Sequence, residues 1–349
     1  MRIAMVSPYS LDHPGGVQGQ AGLLVEWLQE AGEDAWLVAP GESGGPDGTV
    51  YLGGSTRVRT NRSVAPIRLA PGTTAAVADA VAGADVVHIH EPFVPAVSVG
   101  ALRIRSVPRV GTFHADPGRG VRFLYGAGRR ALEKLAANLE VAVAVSPVAA
   151  AAIEPIVGTP RIIPNTIDTA IYRPSAPKQP GRIAFLGRDE PRKGLDLLLT
   201  AFASLHQSHP EAELVVMGTS RPDLPGVRFL GPVDDQTKRR ELGAASVFVA
   251  PNTGGESFGL VVLEAMAAHC AVVASSLPAF QFVAEEAALY AAPGDAPGIE
   301  RSLSTLMGDE VLLADLSDRA GERAATFDRS QAVSEYLKVY SEAVEKRGD

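Results

Sequence analysis

The sequence predicts an α/β protein made of two Rossmann-like domains whose parallel sheets face a central cleft. Three observations predict it. Short apolar runs alternate with longer segments along the chain, the pattern of βαβ units. The alternation breaks at IYRPSAPKQPG, residues 171–181, which holds three prolines and no apolar period and reads as a linker. The 349 residues are 46% hydrophobic and 21% charged, enough for two domains of ordinary size, each with a core. The expected division is residues 1–170, residues 171–325 and a last helical segment, 326–349.

In the first half, strands are expected at residues 2–7, 34–39, 85–90, 109–113 and 141–146. Residues 20–31 form a helix, because Leu23, Leu24, Trp27, Leu28 and Ala31 make one stripe and Gly32 stops it. Residues 75–82 and 123–139 also read as helical, and residues 41–48 as a Gly/Pro-rich loop. In the second half, strands are expected at 182–186, 213–217, 227–230, 246–250 and 271–275. Helices fall at 195–208, 235–244 and 258–268. A final helix at 330–344 carries Val333, Tyr336, Leu337 and Tyr340, and needs a surface against which to bury them.

Residues 246–268, SVFVAPNTGGESFGLVVLEAMAA, organise the second half as strand, glycine-rich turn and helix. Such a turn aims backbone N–H groups and a helix N-terminus at one spot, which suits a phosphate. Glu256 and Glu264 flank it eight residues apart, about 12 Å along a helix rising ~1.5 Å per residue. A bare phosphate does not want two carboxylates. A nucleotide sugar does, because its hydroxyls need acceptors while its diphosphate needs donors. GRDEPRKG, residues 187–194, adds Arg188 and Lys193, a bidentate fork and a point charge suited to a diphosphate. Solvated loop charges are the plainer reading. In open parallel sheets, ligands sit at the carboxyl ends of strands. The loop after the first strand, PYSLDHPGGVQ, has Gly15 and Gly16 to let backbone approach a ligand. Later strands end at His88, His90 and His114; a histidine there is either a site residue or a satisfied polar group. The histidines show no dependable metal-ligand context, and no Asp-x-Asp pair lies near a strand end, so no essential metal is expected.

Net charge of −8 argues against general nucleic-acid binding. Residues 103–134 nonetheless hold eight Lys/Arg against two acids, interleaved with Phe123, Leu124 and Tyr125. That suits either a solvated helix face or a peripheral contact with an anionic membrane surface. The single cysteine, Cys270, lies in an apolar run and reads as an inert buried thiol. The N-terminus reads as a strand and not a signal peptide, and no apolar run is long enough to span a membrane, so a cytosolic address is expected. Gly255-Glu256-Ser257-Phe258-Gly259 matches the nucleophile elbow of serine hydrolases. Four residues separate it from the strand, however, and the only later histidine, His269, is too near in sequence to turn back on Ser257.

These motifs resemble the retaining glycosyltransferases of family 4, which have the GT-B fold. GGESFGLVVLEAMA carries the broad resemblance. PYSLDHPGGVQ, VVHIHEP, residues 61–65, TFH, GRDEPRKG and FLGPVDDQTK resemble the branch that moves mannose from GDP-mannose to phosphatidyl-myo-inositol. The resemblance implies a donor site of Gly15, Gly16, Arg188, Lys193, Glu256, Ser257, Phe258, Gly259 and Glu264. It implies an inositol-phosphate acceptor site of Tyr9, Asp12, Gln18, Asn61, Ser63, Arg68, His114 and Arg119. His114, Arg188, Lys193 and Glu256 would act on the reacting groups, and the last helix would cross back to the first domain. It further implies a nucleotide-sugar donor, a phosphoinositide lipid acceptor and a place on the inner membrane face. Two departures stand out. Residues 73–85, TTAAVADAVAGAD, lack the basic run that the family's lipid mannosyltransferases carry there, and GRDEPRKG is one residue short.

Overall fold

The computed structural model describes residues 1–13, 15–60, 63–114 and 125–348, excluding the side chains of 57–65 and 348. Tertiary contacts divide the chain into two units, 1–166 with 329–349, and 167–328. These divisions lie three to four residues from the expected ones.

The first unit is built on a seven-stranded sheet, all parallel, in the order β3-β2-β1-β6-β7-β8-β9. Its elements run β1 (Arg2–Val6), α1 (Gly16–Glu30), β2 (Asp34–Ala39), β3 (Val50–Tyr51), β4 (Thr56–Thr60), β5 (Ser63–Ile67), α2 (Thr73–Ala80), β6 (Val86–His90), α3 (Val97–Leu102), β7 (Arg109–Phe113), α4 (Arg129–Ala136), β8 (Val141–Ala144), α5 (Pro147–Val157) and β9 (Arg161–Ile162). The strand order reverses beside β1, so the chain ends of β1 and β6 part there and leave a crevice, the usual place for a ligand.

β4 and β5 pair as a separate antiparallel hairpin, which the period-based reading did not anticipate. Arginines and threonines dominate that stretch and leave almost no apolar alternation. The helix expected from residue 20 begins four residues earlier, at Gly16; its first four residues hold two glycines and a single apolar residue, Val17, and so show no apolar period.

The second unit has a six-stranded parallel sheet in the order β12-β11-β10-β13-β14-β15. Its elements are β10 (Gln179–Leu186), α6 (Leu195–Ser208), β11 (Glu213–Met217), β12 (Val227–Gly231), α7 (Asp235–Ala244), β13 (Ala245–Ala250), α8 (Leu260–Ala267), β14 (Ala271–Ser275), α9 (Pro278–Ala284), β15 (Ala288–Ala291), α10 (Ala296–Gly308) and α11 (Glu310–Ala325). Here the order reverses between β10 and β13. Ile183, Phe185, Val247, Val249 and Val273 face Leu198, Phe202 and Leu303 in one core, so both central strands are packed on helices.

The expected linker at 171–181 is a correction. Tyr172 ends a 3₁₀ turn (Thr169–Tyr172) and is buried in the second unit, and β10 already begins at Gln179. The prolines hide a real strand, since Pro180 falls where the β10–β13 register breaks and the ladder does not need its missing N–H. Cys270 is buried as expected, and burial pushes its thiol pKa up.

The last helix, α12 (Arg329–Gly348), belongs to the first unit. Its Ala332, Tyr336, Val339, Tyr340 and Ala343 join the core of Ile3, Met5, Leu24 and Val110. The Tyr340 hydroxyl lies 2.8 Å from Nδ1 of the buried His88, and Tyr336 OH lies 3.2 Å from Thr112 Oγ1. Replacing Tyr340 with Phe leaves that ring nitrogen without its partner in a dry site. The expected loss is roughly 1–3 kcal/mol, read as a lower urea midpoint than wild type.

Candidate active site

At the reversal in the second sheet, two loops are stitched together. Gly194 caps α6 with φ +71°, and a Cβ there would stand 2.0 Å from the Pro251 carbonyl oxygen, so only glycine permits this approach. The Thr253 N–H donates to the Arg192 carbonyl at 2.9 Å, and Arg192 Nη1 donates to the Gly255 carbonyl at 3.1 Å. Lys193 Nζ donates to Glu256 Oε2 at 2.9 Å, and Asn252 Nδ2 reaches the same oxygen at 2.8 Å. Both partners of the Lys193–Glu256 pair are largely buried. Outside, Arg221 ties Asp189 to Asp196 at 2.5 and 2.6 Å and braces the first loop.

Lys193 and Glu256 therefore meet as their loops suggested. Arg188 does not join them: its side chain is 63% exposed and pairs with Glu190 at 3.0 Å. The arginine on the Gly255 turn is Arg192, which the sequence reading passed over. Its signal was adjacency to Lys193, masked by the shortened loop. Glu264 sits a little over one turn into α8, whereas Glu256 precedes that helix. Glu264 Oε1 accepts from Tyr172 OH at 2.8 Å and from Lys238 Nζ at 2.7 Å. Burial opposes the Lys238 charge, but Glu264 beside it raises the ammonium pKa overall. Gly259 caps α8 with φ +104° beside the Phe280 ring. The Phe258 ring is buried against Phe282 and Phe327, so its main chain is what it can offer a ligand. His269 lies past the end of α8 with its ring against Gly321, away from any pairing with Ser257.

In the first unit, Gly15 is the extended cap of α1 and Gly16 its first residue. Gln18 Nε2 donates to the His13 carbonyl at 2.8 Å, so its amide braces the loop that was expected to hold ligand. Asp12 likewise accepts from the Glu42 N–H at 2.9 Å and from Ser10 Oγ at 3.0 Å; these bonds lower its pKa. Tyr9 bridges to Ile67, and burial followed by the Glu91 charge raises its phenol pKa. Arg68 is half-buried beside Gly53, with its Nε buried and unpartnered. Asn61, Arg119 and the side chain of Ser63 lie outside the described residues. Arg109, counted in the basic stretch, is buried against Glu140 at 3.1 Å, and its Nη1 donates to the Ile104 carbonyl. Arg129 pairs with Glu133 at 2.7 Å.

His114 ends a column of buried histidines. His88 and His90 stack with centroids 4.5 Å apart, and His90 and His114 at 5.0 Å. His90 Nδ1 lies 2.7 Å from His114 Nε2, and the His114 main-chain N–H donates to Glu91 Oε1 at 2.7 Å. Glu91 is itself buried with φ 48°, a left-handed backbone uncommon for a residue with a Cβ. Burial pushes His88 down to about 3 and His114 to about 4, and His90 well below its ordinary value.

The family model described as Glycosyltransferase Family 4 matches residues 14–171, and that for Glycosyl transferases group 1 matches 180–309. The phosphatidyl-myo-inositol mannosyltransferase of Mycolicibacterium smegmatis is 37% identical, covering 97% of this chain and 93% of its own. The chain belongs to glycosyltransferase family 4. The enzyme of the same name from Propionibacterium freudenreichii is 38% identical over 80% of this chain and 78% of its own. Among solved structures, sucrose-phosphate synthase from Thermosynechococcus elongatus superposes with a TM-score of 0.73 at 21% identity, covering 97% and 98% of the two chains. The pneumococcal O-GlcNAc transferase superposes at 0.75 and 11%, covering 99% of both. The family member described here thus has the GT-B fold. No helix among its described residues is long and apolar enough to cross a membrane.

Two outcomes follow. Gly194→Ala forces Cβ into the Pro251 carbonyl and should cost at least about 1–3 kcal/mol of stability, read as a lower urea midpoint than wild type. The three histidines are neutral when folded and take up protons on unfolding, where they titrate near 6.5. Stability is therefore held above about pH 6.5 and lost as pH falls toward about 4, by up to ~1.4 kcal/mol per pH unit per histidine. Urea unfolding at stepped pH reads the slope, and His88→Gln should flatten it.

Proposed function

We propose that this glycosyltransferase moves mannose from GDP-mannose to phosphatidyl-myo-inositol, with retention of configuration, at the cytoplasmic face of the membrane. The observation that carries the reading is the near full-length similarity to the M. smegmatis mannosyltransferase, and the meeting of Lys193 with Glu256 at the strand-order reversal supports it.

In this reading the second unit holds the donor. Departure of a nucleoside diphosphate builds negative charge on its terminal phosphate. Lys193, preset by Glu256, and the N-termini of α6 and α8 meet that charge without reorganisation, which lowers the barrier. Arg188 joins them by leaving Glu190. No metal ion is required, because these cations and dipoles do its electrostatic work. Glu256 holds hydroxyls of the mannose, and Glu264, steadied by Tyr172 and Lys238, holds the ribose. As the bond breaks, the sugar becomes cation-like. Tyr9 and Arg68 are assigned to the inositol phosphate. His114 is assigned to the reacting sugar and acceptor hydroxyl, where a neutral imidazole can accept a hydrogen bond.

A second reading, a soluble inositol-phosphate acceptor, is favoured by one observation: α2 carries no Lys or Arg. Vesicles containing phosphatidylinositol, set against free inositol phosphate, separate the two acceptors.

A thermal-shift panel of nucleotide sugars should show stabilisation by GDP-mannose, increased by phosphatidylinositol vesicles. Stabilisation by UDP-glucose alone would remove the donor assignment. Glu256→Ala should lower kcat at least about 100-fold, of the order seen when one preorganised group is removed. Ser257→Ala should leave most activity, and a chelator should leave it all.

A further inference from the structure

Met5 lies in β1 beneath the histidine column, with its Sδ 2.9 Å from Nε2 of His90. A thioether can accept a hydrogen bond weakly and has no proton to give. An unprotonated Nε2 there would set two lone pairs against each other between side chains that are buried from bulk solvent. His90 therefore carries its proton on Nε2 and presents a bare Nδ1 to His114. The two rings are 2.7 Å apart across that contact, so His114 Nε2 is the donor. A neutral imidazole has one proton, and burial keeps both rings neutral. The His114 Nδ1 is then the unprotonated atom; the Asn165 side chain hydrogen-bonds the same ring, and with Nδ1 bare its amide N–H is the donor, a bond that a substrate hydroxyl takes over. The stacked rings, 23° apart in plane, and the bond from the His114 main-chain N–H to Glu91 hold the arrangement.

We propose that His90, oriented by Met5, is a positioning residue that holds His114 as its Nε2–H tautomer and keeps Nδ1 as the lone pair offered to a substrate hydroxyl. The substrate half of this rests on the placement of His114 under Proposed function; the tautomer does not. The opposite tautomer would offer an N–H, a donor, and would repel the same hydroxyl proton.

The test is nitrogen-15 NMR of the full chain labelled in its histidine rings, with signals assigned by His90→Asn and His114→Asn. Both rings are expected to be protonated at Nε2; a proton on His114 Nδ1 overturns the proposal. Met5→Leu keeps the volume and removes the sulfur acceptor, and should populate the other His90 tautomer. A spectrum identical to wild type removes Met5 from the arrangement. In transfer assays, His90→Asn places an amide oxygen near the lost Nδ1 and should retain most of kcat. His90→Gln, whose amide falls nearer Nε2, should lose at least tenfold. Equal losses in both overturn the positioning role. Donor and acceptor KM, taken separately, tell which substrate supplies the hydroxyl. If the tautomer is as stated but His114→Asn transfers sugar at the wild-type rate, the assignment stands and the substrate role of Nδ1 is overturned.

Discussion

The contact between Lys193 and Glu256 is the constraint from which the second unit's site follows. Two loops leave neighbouring strands, β10 and β13, where the strand order reverses. Left alone they would diverge, since their helices pack on different parts of the sheet. Gly194 lets the first loop touch the Pro251 carbonyl, and Arg192 adds bonds to Thr253 and Gly255. Only then does Lys193 reach Glu256. The pair is worth more than a surface bridge because neither side chain can spread into water. It also fixes an ammonium and a carboxylate side by side, the two polarities a glycosyl diphosphate needs.

The first unit solves a different problem. Polar rings lie inside a parallel sheet, where every nitrogen must have a partner. The C-terminal helix supplies one of those partners through Tyr340, Thr112 and Met5 supply others from the strands, and Tyr336 in turn bonds the Thr112 hydroxyl. The helix that ends the chain is therefore part of the polar interior and not an added brace. Its burial alongside Leu24 and Val110 follows from the apolar stripe of its sequence.

Much of this was legible from residue pattern. Fully buried strands such as β13 and β14 read as plain apolar runs, and α6 and α7 were placed to the residue. Glu256 and Lys193 were found because glycine and charge cluster after strands. Arg192 was not, since two arginines flank one loop and spacing alone cannot say which turns inward. Tyr172 was hidden among prolines, and its bond to Glu264 depends on a contact 92 residues away. Asp12 and Gln18 were expected to hold ligand; Gln18 bonds the His13 carbonyl of its own loop and Asp12 accepts from the Glu42 N–H of the loop after β2, partners that only three-dimensional geometry shows. Arg109 looked like surface charge because sequence does not show that Glu140 and two carbonyls enclose it.

The claim on which the account turns is that one pair grips the two ends of a glycosyl diphosphate. A crystal structure of the chain with a bound GDP-sugar tests it most directly. The account predicts phosphate oxygens within hydrogen-bond reach of Lys193 Nζ and of main-chain N–H groups around Gly255, with sugar hydroxyls on Glu256. Phosphates bound away from the Gly194–Pro251 contact, with Lys193 still held by Glu256 alone, would contradict it.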